Sequence, residues 1–254
     1  MKNVALIFSI LLLAACAQYR QYANCKCPNG HRMPTKSEED MVKAEGAKLF
    51  PVTVYTYDLS LLKYTSRVLD SMNAAFLDAG IQFELRKSVE YAFPEIEELT
   101  ARNYKEYYSL SDLLDVQGEL AIWLVPPGDV CDKTRCSSTK GFSNINGMPS
   151  NIVLTDFGWY NTAVAVHEMG HWFGLDHTTD DDIEDTPYDP GNLYSVYISY
   201  DDCEMHHPKG YKPMLENFMA YYEHCPNKRK RFTPMQNELM MSVAWNYKSA
   251  YAVR

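Results

Sequence analysis

The sequence predicts an α+β fold, on three observations: β-branched and aromatic stretches alternate with an amphipathic helix early in the chain, a histidine-bearing helix follows a fourth strand, and a loop-rich half ends in a strongly capped helix. The chain has 254 residues, 46% hydrophobic and 22% charged, enough apolar material for one sizeable core or two small ones. A formal charge of −9 argues against a nucleic-acid partner, because such domains usually present a basic face. The one basic run, Lys228-Arg229-Lys230-Arg231, reads as a solvated loop.

In chain order, Lys2 and the apolar run VALIFSILLLAA (residues 4–15) form an export signal too short to span a bilayer. Residues 16–48 are polar and aperiodic, a tether or short pro-segment, with a turn at Pro28-Asn29-Gly30. FPVTVYTYDL (residues 50–59) is a first strand. Leu61, Leu62, Val68, Leu69, Met72, Ala75 and Phe76 recur at three and four as on a helix, with Ser60 to cap it and Gly80 to end it. IQFEL (residues 81–85) and ELAIWLV (residues 119–125) are the next strands, the latter apolar enough for a buried sheet position. Residues 87–117 carry a weaker helical signal.

SNIVLTDF (residues 150–157) is a fourth strand, and Thr162 then caps a helix that Gly174 ends. In FTPMQ (residues 232–236), Thr233 is an N-cap, Pro234 the first helical residue and Gln236 the partner in a capping box. Two packed subregions meeting at the histidine helix would leave a cleft there.

That helix carries HEMGHWFGLDH (residues 167–177). His167 and His171, four apart, share one helix face and offer two imidazoles to one ion. Gly174 allows a sharp turn that returns His177 as a third ligand. Three neutral imidazoles suit Zn²⁺ and leave a fourth position for water, the catalytic arrangement; Glu168 stands one position round, placed to take that water's proton.

The pattern His167-Glu168-x-x-His171-x-x-Gly174-x-x-His177 resembles the metzincin zinc signature, and ENFMAYY (residues 216–222) supplies Met219 for the Met-turn of that clan. EDTP (residues 184–187) and FTPMQ resemble the pappalysin, or cytophagalysin, branch. The resemblance spans roughly residues 50–250, is strongest over residues 151–239, and implies a metzincin-like zinc peptidase domain over residues 49–254. It implies a zinc endopeptidase with a mixed sheet and the active-site helix in an upper subdomain, and a loop-rich lower subdomain with the C-terminal helix. It also implies an extended protein or peptide substrate antiparallel to an edge strand within residues 141–153, and transition-state stabilisation by Tyr221. Ala220 departs from the family, which often has an acidic residue there, so the basic-residue preference of some members does not carry over.

Leu13-Ala14-Ala15-Cys16 resembles a bacterial lipobox, which implies lipidation of Cys16 and attachment to a cell-envelope membrane; an ordinary secretory signal is the alternative, and either exports the protein. Export leaves Cys25, Cys27, Cys131, Cys136, Cys203 and Cys225 to form disulfides, with 15 pairings open; Cys131 with Cys136 and Cys203 with Cys225 are expected. The acidic run with Asp180, Asp181, Asp182 and Asp185 offers oxygen ligands for calcium, which pappalysin relatives bind nearby, or is a solvated loop. The rival to the enzyme is an inactive metzincin scaffold that binds a protein or glycan at the surface, against which Glu168 speaks. Oligomeric state is not written in the sequence.

Overall fold

The structure is a computed structural model that describes residues 46–92, 114, 116, 118–126, 128–131, 136–143, 151–190, 197–198, 205–206, 210–221 and 229–253. The export signal with Cys16, the tether, Cys25, Cys27, Cys203, Cys225 and most of the weak helical region lie outside these residues.

Strand β1 (Lys48–Thr56) runs parallel to β2 (Ile81–Glu90) and to β3 (Leu120–Val125), and β3 runs parallel to β7 (Asn151–Thr155). The edge strand β6 (Gly141–Ser143) is antiparallel to β7, so the sheet is mixed, in the order β2-β1-β3-β7-β6. Two small hairpins complete the strands: β4 (Gly128–Cys131) with β5 (Cys136–Thr139), and β8 (Tyr197–Ile198) with β9 (Met205–His206). In the first hairpin, Cys131 and Cys136 are backbone partners across the ladder.

Helices α1 (Thr65–Ala75), α3 (Thr162–Trp172) and α4 (Pro234–Asn246) follow the predicted order, whereas α2 (Asp156–Tyr160) is an unpredicted element: the fourth strand ends at Thr155, whose side chain accepts from Gly158 N and caps a helix through the Asp156 and Phe157 read as strand. The caps differ from the sequence reading by one or two residues. Asp58, not Ser60, accepts from the Ser60 backbone and opens a 3-10 turn (Leu59–Tyr64) ahead of α1, and Asn161, not Thr162, accepts from Ala163 N at the start of α3. Each neighbouring pair contains two competent capping residues, so pattern alone cannot separate them. Gly80 takes the left-handed φ of 66° that ends the first helical segment. Strand β2 outruns its prediction because its parallel pairing with β1 continues past a register shift at Val52/Thr53 to Glu90, although the side chains beyond Leu85 are mostly exposed.

Every residue of β3 and β7 is buried, as parallel strands covered on both faces require. Leu120, Ile122 and Leu124 face the larger core, where Phe50, Phe76, Trp159, Trp172 and Phe173 pack. Ala121, Trp123 and Val125 face a smaller cluster with Tyr55, stacked on Trp123 at 4.1 Å between ring centroids. Leu239, Met240, Val243 and Ala244 of α4 belong to that same larger core, so the described C-terminal helix shares the core of the sheet instead of closing a separate one.

The edge strand is anchored at its approach by Lys140, whose carbonyl accepts from both Thr155 N (2.9 Å) and Thr155 Oγ1 (3.0 Å). A Cβ at Gly158 would lie 2.1 Å from that same carbonyl oxygen. Gly158→Ala is therefore expected to destabilise the fold by about 2 kcal/mol or more through overpacking, read as a lower denaturant midpoint.

Candidate metal centre

The geometry of the histidines is set by how α3 ends. Gly174 adopts φ 89°, its N–H donates to the His171 carbonyl (2.8 Å), and Leu175 N–H donates to the Gly170 carbonyl (3.0 Å). This pair of bonds is a Schellman cap, and it reverses the chain so that His177 faces the helix it has just left. The Leu175 carbonyl then accepts from His171 Nδ1 (2.7 Å), while His167 Nδ1 donates to the Phe218 carbonyl (2.7 Å). A carbonyl can only accept, so both rings carry the proton on Nδ1 and leave Nε2 bare for a metal.

The three Nε2 atoms stand 3.2, 3.2 and 3.0 Å apart. Ligands about 2.05 Å from one tetrahedral ion lie about 3.3 Å apart, so the cluster fits zinc. Among the described residues it is the group of three or more potential ligand side chains gathered within 4.8 Å. Burial holds all three imidazoles below their ordinary pKa, His171 at about 4 and His177 at about 3, with His167 held well down by burial, by its two neighbours and by Arg229. Neutral imidazole is the ligating form, so at pH 7 protons do not compete with a metal.

Glu168 is buried next in sequence to His167, and its side chain lies against the edge strand: a Cβ at Gly141 of β6 would come within 3.0 Å of Glu168 Cγ. Met219 lies fully buried beneath α3, where a Cβ at Gly170 would meet its Sδ at 2.6 Å, so the helix needs glycine at that crossing. Its turn is tied down on both sides. Met219 N donates to Asn217 Oδ1 (2.8 Å), Thr178 N donates to the Met219 carbonyl (3.2 Å), and Asn217 Nδ2 donates to Gln236 Oε1 (2.8 Å). Gln236 also completes the capping box with Thr233. Tyr221, half exposed, stacks on His177 with ring centroids 3.9 Å apart.

The acidic run does not gather into a calcium site. Asp180 Oδ2 accepts from Thr179 Oγ1, Asp181 Oδ2 from Gln236 Nε2, and Asp185 Oδ2 from Met235 N at the start of α4, while Asp182 is exposed. These carboxylates serve caps and turns, so the calcium expectation is not supported. The basic run is corrected too: Arg229 is only 8% exposed, against exposed Lys230 and Arg231. Sequence reasoning missed it because only the tertiary fold turns one cation of a run inward.

Part of the chain, 31% of it, is 36% identical over 86 residues to an extracellular metalloprotease of Pyricularia oryzae; the match covers 29% of that relative's length. Among solved structures the chain is similar to archaemetzincin from Methanopyrus kandleri, at 12% identity and TM-score 0.46, covering 75% of this chain and 93% of that one. It is also similar to a zinc-dependent peptidase from Methanocorpusculum labreanum, at 12% identity and TM-score 0.30, covering 50% and 82%. No family model matches.

Two expectations test the centre. The protein should bind one zinc ion per chain, and His171→Ala should lower the affinity by several orders of magnitude in a chelator competition. Burial raises the Asp181 carboxyl to about 7 from 3.8. The folded state then holds this proton where the unfolded chain releases it, so stability present below pH 4 is lost as pH rises towards 7. Asp181→Asn should therefore melt a few degrees above the parent at pH 8 and level with it at pH 4, in chelator-containing buffer.

Proposed function

We propose that the protein is an exported zinc-dependent endopeptidase of metzincin type, related to the pappalysins, that hydrolyses peptide bonds of protein substrates. The observation that carries this reading is the convergence of three bare Nε2 atoms on one point, with Glu168 beside them and Met219 beneath. The stretch shared with the fungal extracellular metalloprotease supports it. Export and attachment through a lipid on Cys16 rest on the N-terminal sequence alone.

When bound at His167, His171 and His177, zinc supplies a Lewis acid that polarises the scissile carbonyl and lowers the pKa of water. The residues of the chain do the rest. The Glu168 carboxylate accepts a proton from the attacking water and returns it to the leaving amine. The Tyr221 hydroxyl, carried by the ring stacked on His177, is assigned to donate to the developing oxyanion. The outer edge of β6, antiparallel to β7 and in contact with Glu168, offers backbone groups to an extended peptide, so that main-chain pairing holds the substrate over the histidines.

Glu168→Ala should bind zinc as the parent does and lose casein cleavage by about 10³-fold or more, and Tyr221→Phe should lower kcat by about 10–100-fold with little change in KM. Zinc binding with no chelator-sensitive cleavage by the parent would sink the enzyme reading and leave that of a binding scaffold.

A further inference from the structure

The three ligand rings are not held alike. His167 and His171 each donate an Nδ1 proton to a carbonyl, that of Phe218 and that of Leu175, at 2.7 Å. Among the described residues His177 Nδ1 makes no such bond, and the close polar neighbours of this ring are the Nε2 atoms of the other two histidines, met by its own Nε2. The main chain at this point is well anchored. The His177 carbonyl accepts from Asp180 N and Asp181 N at 2.9 Å each, and Thr178 N donates to the Met219 carbonyl at 3.2 Å. Anchoring the backbone still leaves the side-chain torsions open, and χ2 of a histidine is a broad rotation. His177 also lies beyond the end of α3, so the helical restriction on χ1 that acts on His167 and His171 does not act on it.

What restrains this ring is Tyr221. The two rings stack, with 3.9 Å between centroids and 26° between planes. Rotation of the imidazole about χ2 would drive one of its edges into the phenol ring, so the stack sets the plane in which His177 Nε2 meets the other two. Tyr221 is placed in turn by the bonds through Asn217 and Gln236 that fix Met219, two residues before it. Phe218 and Tyr221, at the two ends of one short stretch, thus reach two different ligands, one through a carbonyl and the other through a ring. Tyr221 is 50% exposed, so filling the core is not what its ring serves.

We propose that the Tyr221 ring is the positioning device for the third zinc ligand, setting the plane of His177 and with it the zinc affinity of the centre. The inference rests on the zinc reading of the three histidines and is separate from the part assigned to the Tyr221 hydroxyl in hydrolysis. It makes the ring, not the hydroxyl, the portion of Tyr221 that metal binding requires.

The test measures zinc affinity by chelator competition on the full chain and needs no turnover. Tyr221→Phe keeps the ring and should bind zinc within about twofold of the parent, whereas Tyr221→Leu should bind about 10–100-fold more weakly, the range expected when a partner that orients a ligand is removed. Because the residue is half exposed, the metal-free Tyr221→Leu protein should melt within about two degrees of the metal-free parent. In a His177→Ala background Tyr221→Leu should cost no further affinity, since the ring it would orient is gone. Equal affinities for parent, Tyr221→Phe and Tyr221→Leu overturn the proposal and leave the zinc centre standing. A loss in Tyr221→Phe as large as in Tyr221→Leu would make the hydroxyl the group that counts, and overturns it as well. So does a loss that persists undiminished in the His177→Ala background, or one matched by a collapse of the metal-free melt, because the ring then acts on the fold at large. If the parent itself binds no zinc, the reading of the metal centre fails and takes this inference with it.

Discussion

Two hydrogen bonds from histidine to backbone hold the centre together. The carbonyls of Leu175 and Phe218 accept the Nδ1 protons of His171 and His167, and this fixes tautomer, ring direction and lone pair at once. Each carbonyl is supplied by a different device. Leu175 is placed by the cap that ends α3, and Phe218 by the turn that carries Met219. The metal centre therefore needs both the helix end and a segment some fifty residues further on to be in register before three imidazoles can converge.

That dependence explains the wiring behind the site. Asn217 bonds Met219 N and Gln236, Gln236 bonds Thr233, and Asp185 caps Met235, so the first turn of α4 and the Met219 turn form one buried polar network. Asn217, Gln236 and Thr233 satisfy one another in a region where an unmade hydrogen bond would cost about 1–3 kcal/mol. The C-terminal helix thus serves two layers, with its apolar residues in the sheet core and its capping residues steadying the floor of the centre. Gly170 lets Met219 press against α3, and Gly141 lets Glu168 press against β6. Both glycines mark close approach at the centre, not flexibility.

Local patterns were legible and tertiary choices were not. The histidine spacing, the terminating Gly174 and the Thr233–Gln236 box are decided within a few residues, and the structure places each where the pattern put it. Choosing between Asp58 and Ser60, or Asn161 and Thr162, depends on the exact entry of the chain into the helix, which pattern does not encode. The far end of β2 was unreadable because backbone pairing with β1, not burial, extends it. The acidic run looked like metal ligands by composition, yet its carboxylates cap turns and α4. Arg229 had no signal of its own, since Lys228 to Arg231 differ little as letters and only one of the described members of that run is buried.

The burial of Arg229 beside the histidines bears on the chemistry. A cation near a site for a divalent ion disfavours both imidazolium and metal, and burying it carries a desolvation cost that a solvated loop would avoid. The same charge, together with burial, keeps His167 and His177 in the neutral form that ligates, so what the arginine costs a divalent ion by repulsion it returns in part by removing the proton that would compete for the same lone pair.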